Sequence, residues 1–292
     1  MGILAREASF VLSTDDHDLL PAAADGIVLK DSRPLANGHA ISGHSRSATL
    51  PEQASRLNSA LVGLTPWERL ARFRKEVDGR VVLTTSFGME GQVILHLIAE
   101  HDIDVHIATL DTGRLFPETY ALWAETEQRY GRRIEAIYPQ HANLEALVKK
   151  DGVNGFYNSR DARLACCHAR KVEPLNRALA GAAGWIVGLR ADQSTHRGST
   201  SLVSVDERKL LKLSPLFDWT REKVHAFALA NKIPINPLHA KGYVSIGCAP
   251  CTRAVAPGEP ERAGRWWWEE DDKKECGLHM TADQRLVRNV AS

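Results

Sequence analysis

The stretch VVLTTSFGMEGQVILHLIAE, residues 81–100, holds one complete strand, turn and helix pattern. Residues 81–85 are apolar or β-branched and predict a buried strand. Residues 92–100 repeat apolar side chains at helical spacing and predict a helix. Between them, residues 86–91 carry two glycines and predict the turn that joins the two elements. A strand that leads at once into a helix is the building unit of a parallel sheet.

The same alternation of strand and helix continues along the chain. It predicts strands at 105–110, 134–138, 185–188 and 210–213, and helices at 117–130, at 144–149 and from an Asp218 cap to 231. Such units join parallel strands through right-handed crossovers. The expected fold class is therefore α/β, a twisted and mostly parallel sheet with helices on both faces.

Composition divides the chain into three predicted parts. Residues 1–65 are rich in small and polar side chains without a sustained period, and they predict a flexible N-terminal arm. Residues 66–254 predict the α/β domain. Residues 255–292 predict a mobile C-terminal tail.

Charge and cysteine content limit the setting in which the protein works. The 292 residues carry a formal net charge of +1, which gives no overall attraction to nucleic acid or to a membrane surface. The longest weakly polar stretch, around 178–189, is too short to span a bilayer, and no secretory signal pattern is visible. Five cysteines, two of them adjacent, fit reduced thiols or metal ligands better than a disulfide framework. We expect a cytoplasmic protein that binds neither nucleic acid nor membrane, and a homo-oligomer remains an open alternative.

Polar residues follow three of the predicted strands, at the edge where ligands bind in sheets of this kind. Hydroxyls, loop amides and arginines at one edge predict a site for an anionic nucleotide. The candidate ligands are Ser86, Gly88 and Glu90 in the first loop, Leu110, Asp111, Thr112, Gly113 and Arg114 in the second, and Arg190 and Arg197 in the third. Taken alone, the glycines of the first loop suit tight turn geometry equally well.

The cysteines fall into two pairs and a remainder. The pairs are Cys166-Cys167 and Cys248-x-x-Cys251, and Cys276 lies near the carboxyl terminus. Four thiolates without a histidine suit a soft metal centre, and four is the usual number of cysteine ligands of an iron–sulfur cluster. Cys276 is then left for chemistry. A structural zinc ion, or simply buried thiols, would also account for the four paired cysteines.

A short motif near the carboxyl terminus predicts an anion grip. Arg262 and Arg265 are separated by one helical turn, and Trp266 follows them. Two guanidinium groups at this spacing can hold two oxygens of a sulfate or phosphate. The three tryptophans at 266–268 also need burial, so we expect the segment to pack against the domain as well.

Together these motifs resemble the assimilatory adenylyl-sulfate reductases, the iron–sulfur branch of the enzymes that reduce adenosine 5'-phosphosulfate (APS) or its 3'-phosphorylated form (PAPS). The similarity spans about residues 81–279 and is carried by Cys166-Cys167-His168-Ala169-Arg170-Lys171, Cys248-x-x-Cys251, Arg262-x-x-Arg265-Trp266 and Glu275-Cys276-Gly277-Leu278-His279. It implies an adenine nucleotide alpha hydrolase-like fold and one 4Fe-4S cluster per chain, held by the four paired cysteines. It also implies reduction of APS to sulfite and AMP, in sulfate assimilation and cysteine biosynthesis, with thioredoxin as a transient reductant.

The resemblance also assigns chemical roles. Cys276 is the implied nucleophile, whose thiolate displaces AMP from the sulfur and forms an enzyme S-sulfocysteine. Lys171 and His279 are further candidate catalytic residues, because their positive charge favours the thiolate and balances the phosphosulfate. Lys171 is expected at the start of a helix, between cluster and sulfate, with an ordinary surface lysine as the alternative. Two adjacent ligands also predict local strain or a helix distortion at Cys166-Cys167.

Three other functions fit parts of the sequence. A PAPS reductase would need a further cationic pocket for the 3'-phosphate. An ATP-splitting sulfurtransferase would need a Ser-Gly-Gly-x-Asp-Ser loop, which residues 86–91 do not supply. A non-enzymatic sensor would hold a metal with the paired cysteines and use Cys276 as a redox switch.

Overall fold

One mixed sheet forms the centre of the protein. A computed structural model describes residues 48–193 and 201–269. Within them, six strands lie in the order β3-β2-β1-β4-β6-β5. The strands are β1 (Arg80–Thr85), β2 (His106–Leu110), β3 (Glu135–Ile137), β4 (Ala182–Ile186), β5 (Val203–Val205) and β6 (Leu211–Leu213). Neighbouring strands run parallel except β5, which is antiparallel to β6. The predicted α/β fold class is confirmed.

Helices precede, connect and follow the strands. They are α1 (Leu50–Leu61), α2 (Pro66–Glu76), α3 (Met89–Glu100), α4 (Pro117–Tyr130), α5 (His141–Asp151), α6 (Arg160–Cys167), α7 (Glu173–Ala178) and α8 (Arg221–Ala230). A π-helix, His168–Val172, joins α6 to α7 without a break. None of these helices in the described ranges is long and apolar enough to cross a membrane.

The sheet is covered on both faces because alternate strand residues point in opposite directions. In β1, Val81 and Leu83 belong to the larger core, to which α1, α2, α3 and α8 contribute. Val82 belongs to a second core that contains Leu175 of α7 and Trp185 of β4. Both faces of the central strand are therefore buried, as expected for a parallel sheet.

Helix α1 corrects the predicted N-terminal arm, which was drawn to residue 65. Its start is fixed by Glu52, whose carboxylate accepts hydrogen bonds from the amide and the hydroxyl of Thr49 at 2.8 and 2.9 Å. Leu57 and Leu61 are fully buried in the larger core. The capping box and the apolar spacing of this helix place residues 50–61 in the packed domain. Residues 1–47 lie outside the described part of the chain.

The predicted cap of the last helix is also corrected. Helix α8 begins at Arg221, and the hydroxyl of Thr220 caps it by accepting from the amide of Lys223 at 3.2 Å. Asp218 instead receives two hydrogen bonds from the guanidinium of Arg69, at 2.6 and 2.7 Å. Strand β5 was not predicted.

The helix distortion predicted at the cysteine pair is found immediately after it. Cys167 keeps ordinary helical angles, with φ −62° and ψ −38°, and the wider π-turn starts at His168. Lys171 therefore lies inside a continuous helix and not at the start of one, which corrects that prediction. Single π-turns of this kind are frequent at functional sites because they redirect a few side chains.

The first part of the predicted tail packs onto the domain. Trp266 is 1% exposed, and Thr252 and Arg265 form an isolated antiparallel bridge. Burial of the indole supplies the physical reason, because an exposed tryptophan would leave a large apolar area in water. Residues 270–292, with Cys276 and His279, lie outside the described part of the chain.

Candidate active site and cysteine cluster

A cavity of about 240 Å³ lies at the carboxyl ends of β1, β2 and β4. The sheet order places β1 between β2 and β4, so the chain leaves β1 toward one side and later returns on the other. The crevice at such a reversal is the usual ligand site of an open α/β sheet. Residues Thr85, Leu110 and Val187, at or just after the ends of the three strands, line it.

The cavity brings together many of the residues that the sequence singled out. Those that line it are Ser86, Gly88, Glu90, Leu110, Thr112, Lys171, Arg262, Arg265 and Trp266. Cys248 lines it as well, so one wall of the cavity is shared with the cysteine pairs. Residues separated by more than 170 positions thus converge on one site.

The first loop is shaped by close packing as well as by its position. Phe87 adopts a left-handed φ of 58°, and its amide donates to the hydroxyl of Thr85 at 3.0 Å. A Cβ at Gly91 would lie 2.6 Å from that hydroxyl oxygen, so a larger side chain there would require the loop or Thr85 to shift. Helix α3 then starts with Gly88 as its N-cap, so its first amides belong to the cavity loop.

Four predicted substrate ligands do not line the cavity. Asp111 is buried and accepts from the amide of Gly113 and from the hydroxyl of Tyr120, each at 2.8 Å, so it stabilises its own turn. Gly113 follows in that turn with φ 68°. Arg114 points toward the cysteine side, where it bonds Val153 and Asn154 and lies 5.2 Å from the ring centre of Phe156.

Arg190 is the fourth predicted ligand that is absent from the cavity lining. Its side chain is 0% exposed and is surrounded by carboxylates: Glu90 at 2.7 Å, Glu261 at 2.9 Å and Asp192. A guanidinium group with three acidic partners is already neutralised. The pKa of Glu261 is raised by burial and by nearby Glu90, against the opposite influence of Arg190. Arg197 lies outside the described residues.

The cations that do line the cavity are Lys171, Arg262 and Arg265. Arg265 is buried, and its guanidinium passes over Gly247, where an added Cβ would lie 2.2 Å from a guanidinium nitrogen. The guanidinium carbons of Arg265 and Arg262 lie 4.8 and 6.0 Å from the ring centre of Trp266. The buried indole therefore positions the cations of the predicted anion grip.

The four paired cysteines share one small apolar cluster. Cys167, Cys248 and Cys251 are buried and Cys166 is half-buried, and none of these four forms a disulfide. Phe156, Trp266 and Trp268 complete the cluster. The pairs come from the last turn of α6 and from the 3-10 helix Ala249–Cys251. The fold therefore assembles the quartet that the sequence predicted.

The pKa values of three cysteines in the quartet are shifted in different directions. Burial raises the pKa of Cys166, and burial together with Cys248 raises the pKa of Cys251 to about 11. Burial also opposes ionisation of Cys248, but Lys171, Thr112 and Arg265 outweigh it and lower the pKa of this thiol. The Thr112 hydroxyl lies 3.3 Å from the Cys248 sulfur. Lys171 thus connects the cysteine side of the site with the cavity.

The donor chemistry of the quartet, thiols without histidine or carboxylate, is of the kind that an iron–sulfur cluster uses. No group of three or more His, Cys, Asp or Glu in the described ranges converges closely enough to ligate one metal ion. An iron–sulfur cluster binds each cysteine through a separate iron atom, so its ligands are spread farther apart than those of zinc. Buried, mutually interacting thiols in an apolar shell are the donor set that such a cluster requires.

Several cavity residues were missed by the sequence reasoning. His239, Glu261, Gln193 and Trp185 all line the cavity. Glu261 directly precedes Arg262 in the predicted anion grip, and that position was the available signal. His239 lies in the 3-10 helix Pro237–Lys241, and no periodic pattern marks it.

Comparison with known proteins gives consistent results. Residues 80–254 match the model of the phosphoadenosine phosphosulfate reductase domain family. A relative from Sinorhizobium fredii (strain USDA 257), named adenosine 5'-phosphosulfate reductase, is 52% identical over 246 residues, which cover 84% of this chain and 98% of the relative. A protein of the same name from Allochromatium vinosum is 47% identical over 213 residues, covering 73% of this chain and 83% of that protein.

A solved structure agrees with the fold. The crystal structure of phosphoadenylyl-sulfate (PAPS) reductase from Candida auris, in a phosphate complex, superimposes with a TM-score of 0.60 at 29% identity. The match covers 70% of this chain and 97% of that chain.

Proposed function

The chain belongs to the phosphoadenosine phosphosulfate reductase domain family, and we propose that it reduces adenosine 5'-phosphosulfate to sulfite and AMP. The proposal depends above all on one observation. The cavity at the reversal of the sheet order is lined by nucleotide loops, by Lys171, Arg262 and Arg265, and by Cys248 of the cysteine quartet. The loops proposed to bind nucleotide, the cations proposed to bind an anion and one of the four paired cysteines therefore line a single cavity.

The first step transfers a sulfonate group to the enzyme. The Cys276 thiolate attacks the sulfur of the phosphosulfate, the bond from sulfur to the phosphate oxygen breaks, and AMP leaves with that electron pair. Lys171, Arg262 and Arg265 balance the charge of the phosphosulfate oxygens in the cavity, which favours the approach of an anionic nucleophile. His279, three residues beyond Cys276, is assigned a supporting role in keeping that thiol ionised.

The second step releases the product. A thiolate of thioredoxin attacks the Cys276 sulfur of the S-sulfocysteine, sulfite leaves, and a mixed disulfide forms. The second thiol of thioredoxin then resolves this disulfide and frees Cys276. The two thioredoxin thiols are oxidised to a disulfide and supply the electron pair that sulfate reduction requires.

A 4Fe-4S cluster, one per chain, would be held by Cys166, Cys167, Cys248 and Cys251. When bound, it would keep these thiols ionised and add a fixed charge beside the cavity. Lys171 would lie between that charge and the anion site; its effect on the pKa of Cys248 and its place in the cavity lining support this position. The thiols of thioredoxin already supply the electrons.

The unphosphorylated nucleotide is the better candidate substrate. The relatives at about half identity carry the name of the APS enzyme. Glu90 and Glu261 also line the cavity, and their carboxylates disfavour a further phosphate group. Initial rates measured with APS and with PAPS should favour APS strongly, and equal rates would remove this preference from the proposal.

Intact-mass measurement tests the nucleophile. Purified protein incubated with APS and no thioredoxin should gain the mass of one sulfonate group, while the Cys276→Ser variant should gain none. Incubation with AMP is the control for non-covalent binding. A sulfonate adduct on the variant, or AMP release without any adduct on the wild type, would contradict the assignment.

Metal analysis tests the cluster. Anaerobically purified protein should contain about four iron and about four acid-labile sulfide per chain and should absorb visible light. Cys248→Ser should lose most of this iron, whereas Cys276→Ser should keep it. A colourless protein with one zinc ion would favour the sensor alternative instead.

The compartment follows from the same chemistry. We assign the protein to the cytoplasm because the proposed reductant, a dithiol protein, acts under reducing conditions.

A further inference from the structure

His239 lines the cavity and carries an unusual ring atom. Its Nδ1 lies 2.8 Å from the backbone carbonyl oxygen of Tyr243. A carbonyl oxygen only accepts hydrogen bonds, so Nδ1 carries the proton. In the neutral ring, Nε2 is then left with a lone pair as a hydrogen-bond acceptor. Burial lowers the pKa of His239 and keeps the ring in this neutral form.

The Nε2 atom of His239 is buried and has no hydrogen-bond partner among the residues that the structure describes. An acceptor removed from water without a partner lowers stability, so native proteins rarely leave one unused. His239 also lines the cavity. The residue that carries the unused acceptor therefore belongs to the wall of the cavity.

The neighbours of His239 indicate which kind of group it receives. Glu90 and Glu261 line the same cavity, and both receive hydrogen bonds from Arg190. Glu90 also acts electrostatically on His239. This part of the lining is rich in acceptors, whereas Lys171 and Arg265 provide the donors beside Cys248. Acceptors suit the neutral donors of a nucleoside, and cations suit its anionic substituent.

We propose that His239 binds the nucleoside part of the substrate by accepting a hydrogen bond at Nε2 from one of its O–H or N–H groups. This role rests on the proposed function, since it requires a nucleotide in the cavity. In this role, His239 helps to select the substrate by recognising its uncharged nucleoside part. The donor is either a ribose hydroxyl or the amino group of the base.

Two substitutions separate this role from a structural one. His239→Asn places an amide where Nδ1 was, so it retains a donor for the Tyr243 carbonyl but removes the acceptor at Nε2. His239→Gln places its amide oxygen near the Nε2 position and retains an acceptor. Similar thermal unfolding of both variants and the wild type would show that the fold is intact.

The experiment measures the binding of AMP and of three analogues by calorimetry: 2'-deoxy-AMP, 3'-deoxy-AMP and the analogue without the 6-amino group. We expect one analogue to bind wild type about tenfold more weakly than AMP does, because a buried acceptor loses its donor. His239→Asn should bind AMP about tenfold more weakly, and it should not distinguish AMP from that analogue. His239→Gln should recover most of the affinity.

The outcomes distinguish the two proposals. If every analogue loses the same factor with wild type and with His239→Asn, the role of His239 is refuted, although the enzyme still reduces APS. If wild type binds no AMP and forms no sulfonate adduct, the proposed function itself fails. Full affinity of His239→Asn for AMP would also refute the role, because the buried acceptor would then contribute nothing.

Discussion

Two buried arginines hold the same C-terminal segment in different ways. Arg190 and Arg163 are both 0% exposed, and each bonds a glutamate of residues 255–269. Arg190 pairs with Glu261 and with two further carboxylates beside the cavity. Arg163 pairs with Glu269 through two hydrogen bonds at 2.8 and 2.6 Å, and its guanidinium stacks 4.8 Å from the ring centre of Trp266. It also bonds the thiol of Cys167.

The difference shows how the groups around a buried cation determine what else that cation can bind. A guanidinium removed from water needs an anion or an aromatic face to offset the loss of hydration. Arg190 has three carboxylates, so it has little attraction left for an anionic substrate. Arg163 bonds the carboxylate of Glu269, and it connects the cysteine helix to the last described residue before the segment that carries Cys276. One arginine therefore stabilises the wall of the cavity, and the other links the cysteine quartet to the tail.

Removing Arg190 should give the largest effect. Arg190→Met leaves Glu90, Asp192 and Glu261 without their shared cation, and three close carboxylates then repel one another. We expect a loss of about 3–5 kcal/mol in the free energy of unfolding, measured by urea denaturation. Arg253→Met is the matched control, since its pair with Glu259 lies in the same segment but is partly exposed.

The free energy of unfolding of Arg253→Met should fall by about 1 kcal/mol or less, because an exposed ion pair contributes little to stability. If Arg190→Met were as mild as Arg253→Met, the carboxylates around Arg190 would not depend on its charge. The inference that Arg190 serves to neutralise these carboxylates would then be wrong.

Removing Arg163 should have a smaller effect on stability but a second effect on the metal site. Arg163→Met strands one buried carboxylate and loses the stacking on Trp266, so we expect a loss of about 3 kcal/mol. Because Arg163 also touches Cys167, the variant should retain less iron after gel filtration, whereas Arg190→Met should retain a wild-type amount. Equal iron content in both variants would remove the distinction between the two arginines.

Glu261 should give the smallest effect, visible in its dependence on pH. Burial raises the pKa of Glu261 in the folded protein, so the protonated form is favoured by folding. The stability it contributes is complete below its unfolded pKa of about 4.3 and is lost as pH rises through the raised value. The unfolding free energy of wild type should therefore fall more with rising pH than that of Glu261→Gln. Parallel profiles from pH 4 to 8 would contradict this sign.

Local signals predicted much of the fold. Helix α4 has the predicted bounds because Pro117 opens it and Gly131, with φ 61°, closes it. Strands β1 and β2 lie within one residue of their predicted positions because they are buried runs between clear turns. Strand β5 has only three residues, too few for a periodic pattern, and it exists through its pairing with β6. Helix α1 carried a readable capping box at Thr49 and Glu52, which the analysis of composition passed over.

The site was predictable in its parts but not in its connections. The cysteine pairs and the arginines Arg262 and Arg265 were visible because their spacing is local. The partners of Arg190 lie 100 and 71 residues away in sequence, at Glu90 and Glu261. Charge neutralisation across such distances depends on the folded sheet, so no local pattern could show that Arg190 is already engaged. The buried acceptor of His239 likewise depends on a carbonyl four residues away and on burial by other segments.

In the helix that contains the π-turn at residues 168–172, the number of residues determines in which direction each side chain points. Lys171 and Leu175 both line the cavity, while Cys166 and Cys167, at the end of the preceding α-helix, belong to the thiol cluster. One residue corresponds to a rotation of about 100° around a helix axis. Deleting a single residue between Cys167 and Lys171 would therefore turn the two thiols out of phase with the lysine, although every side chain involved would remain. A change in length is thus more damaging here than most changes of residue type.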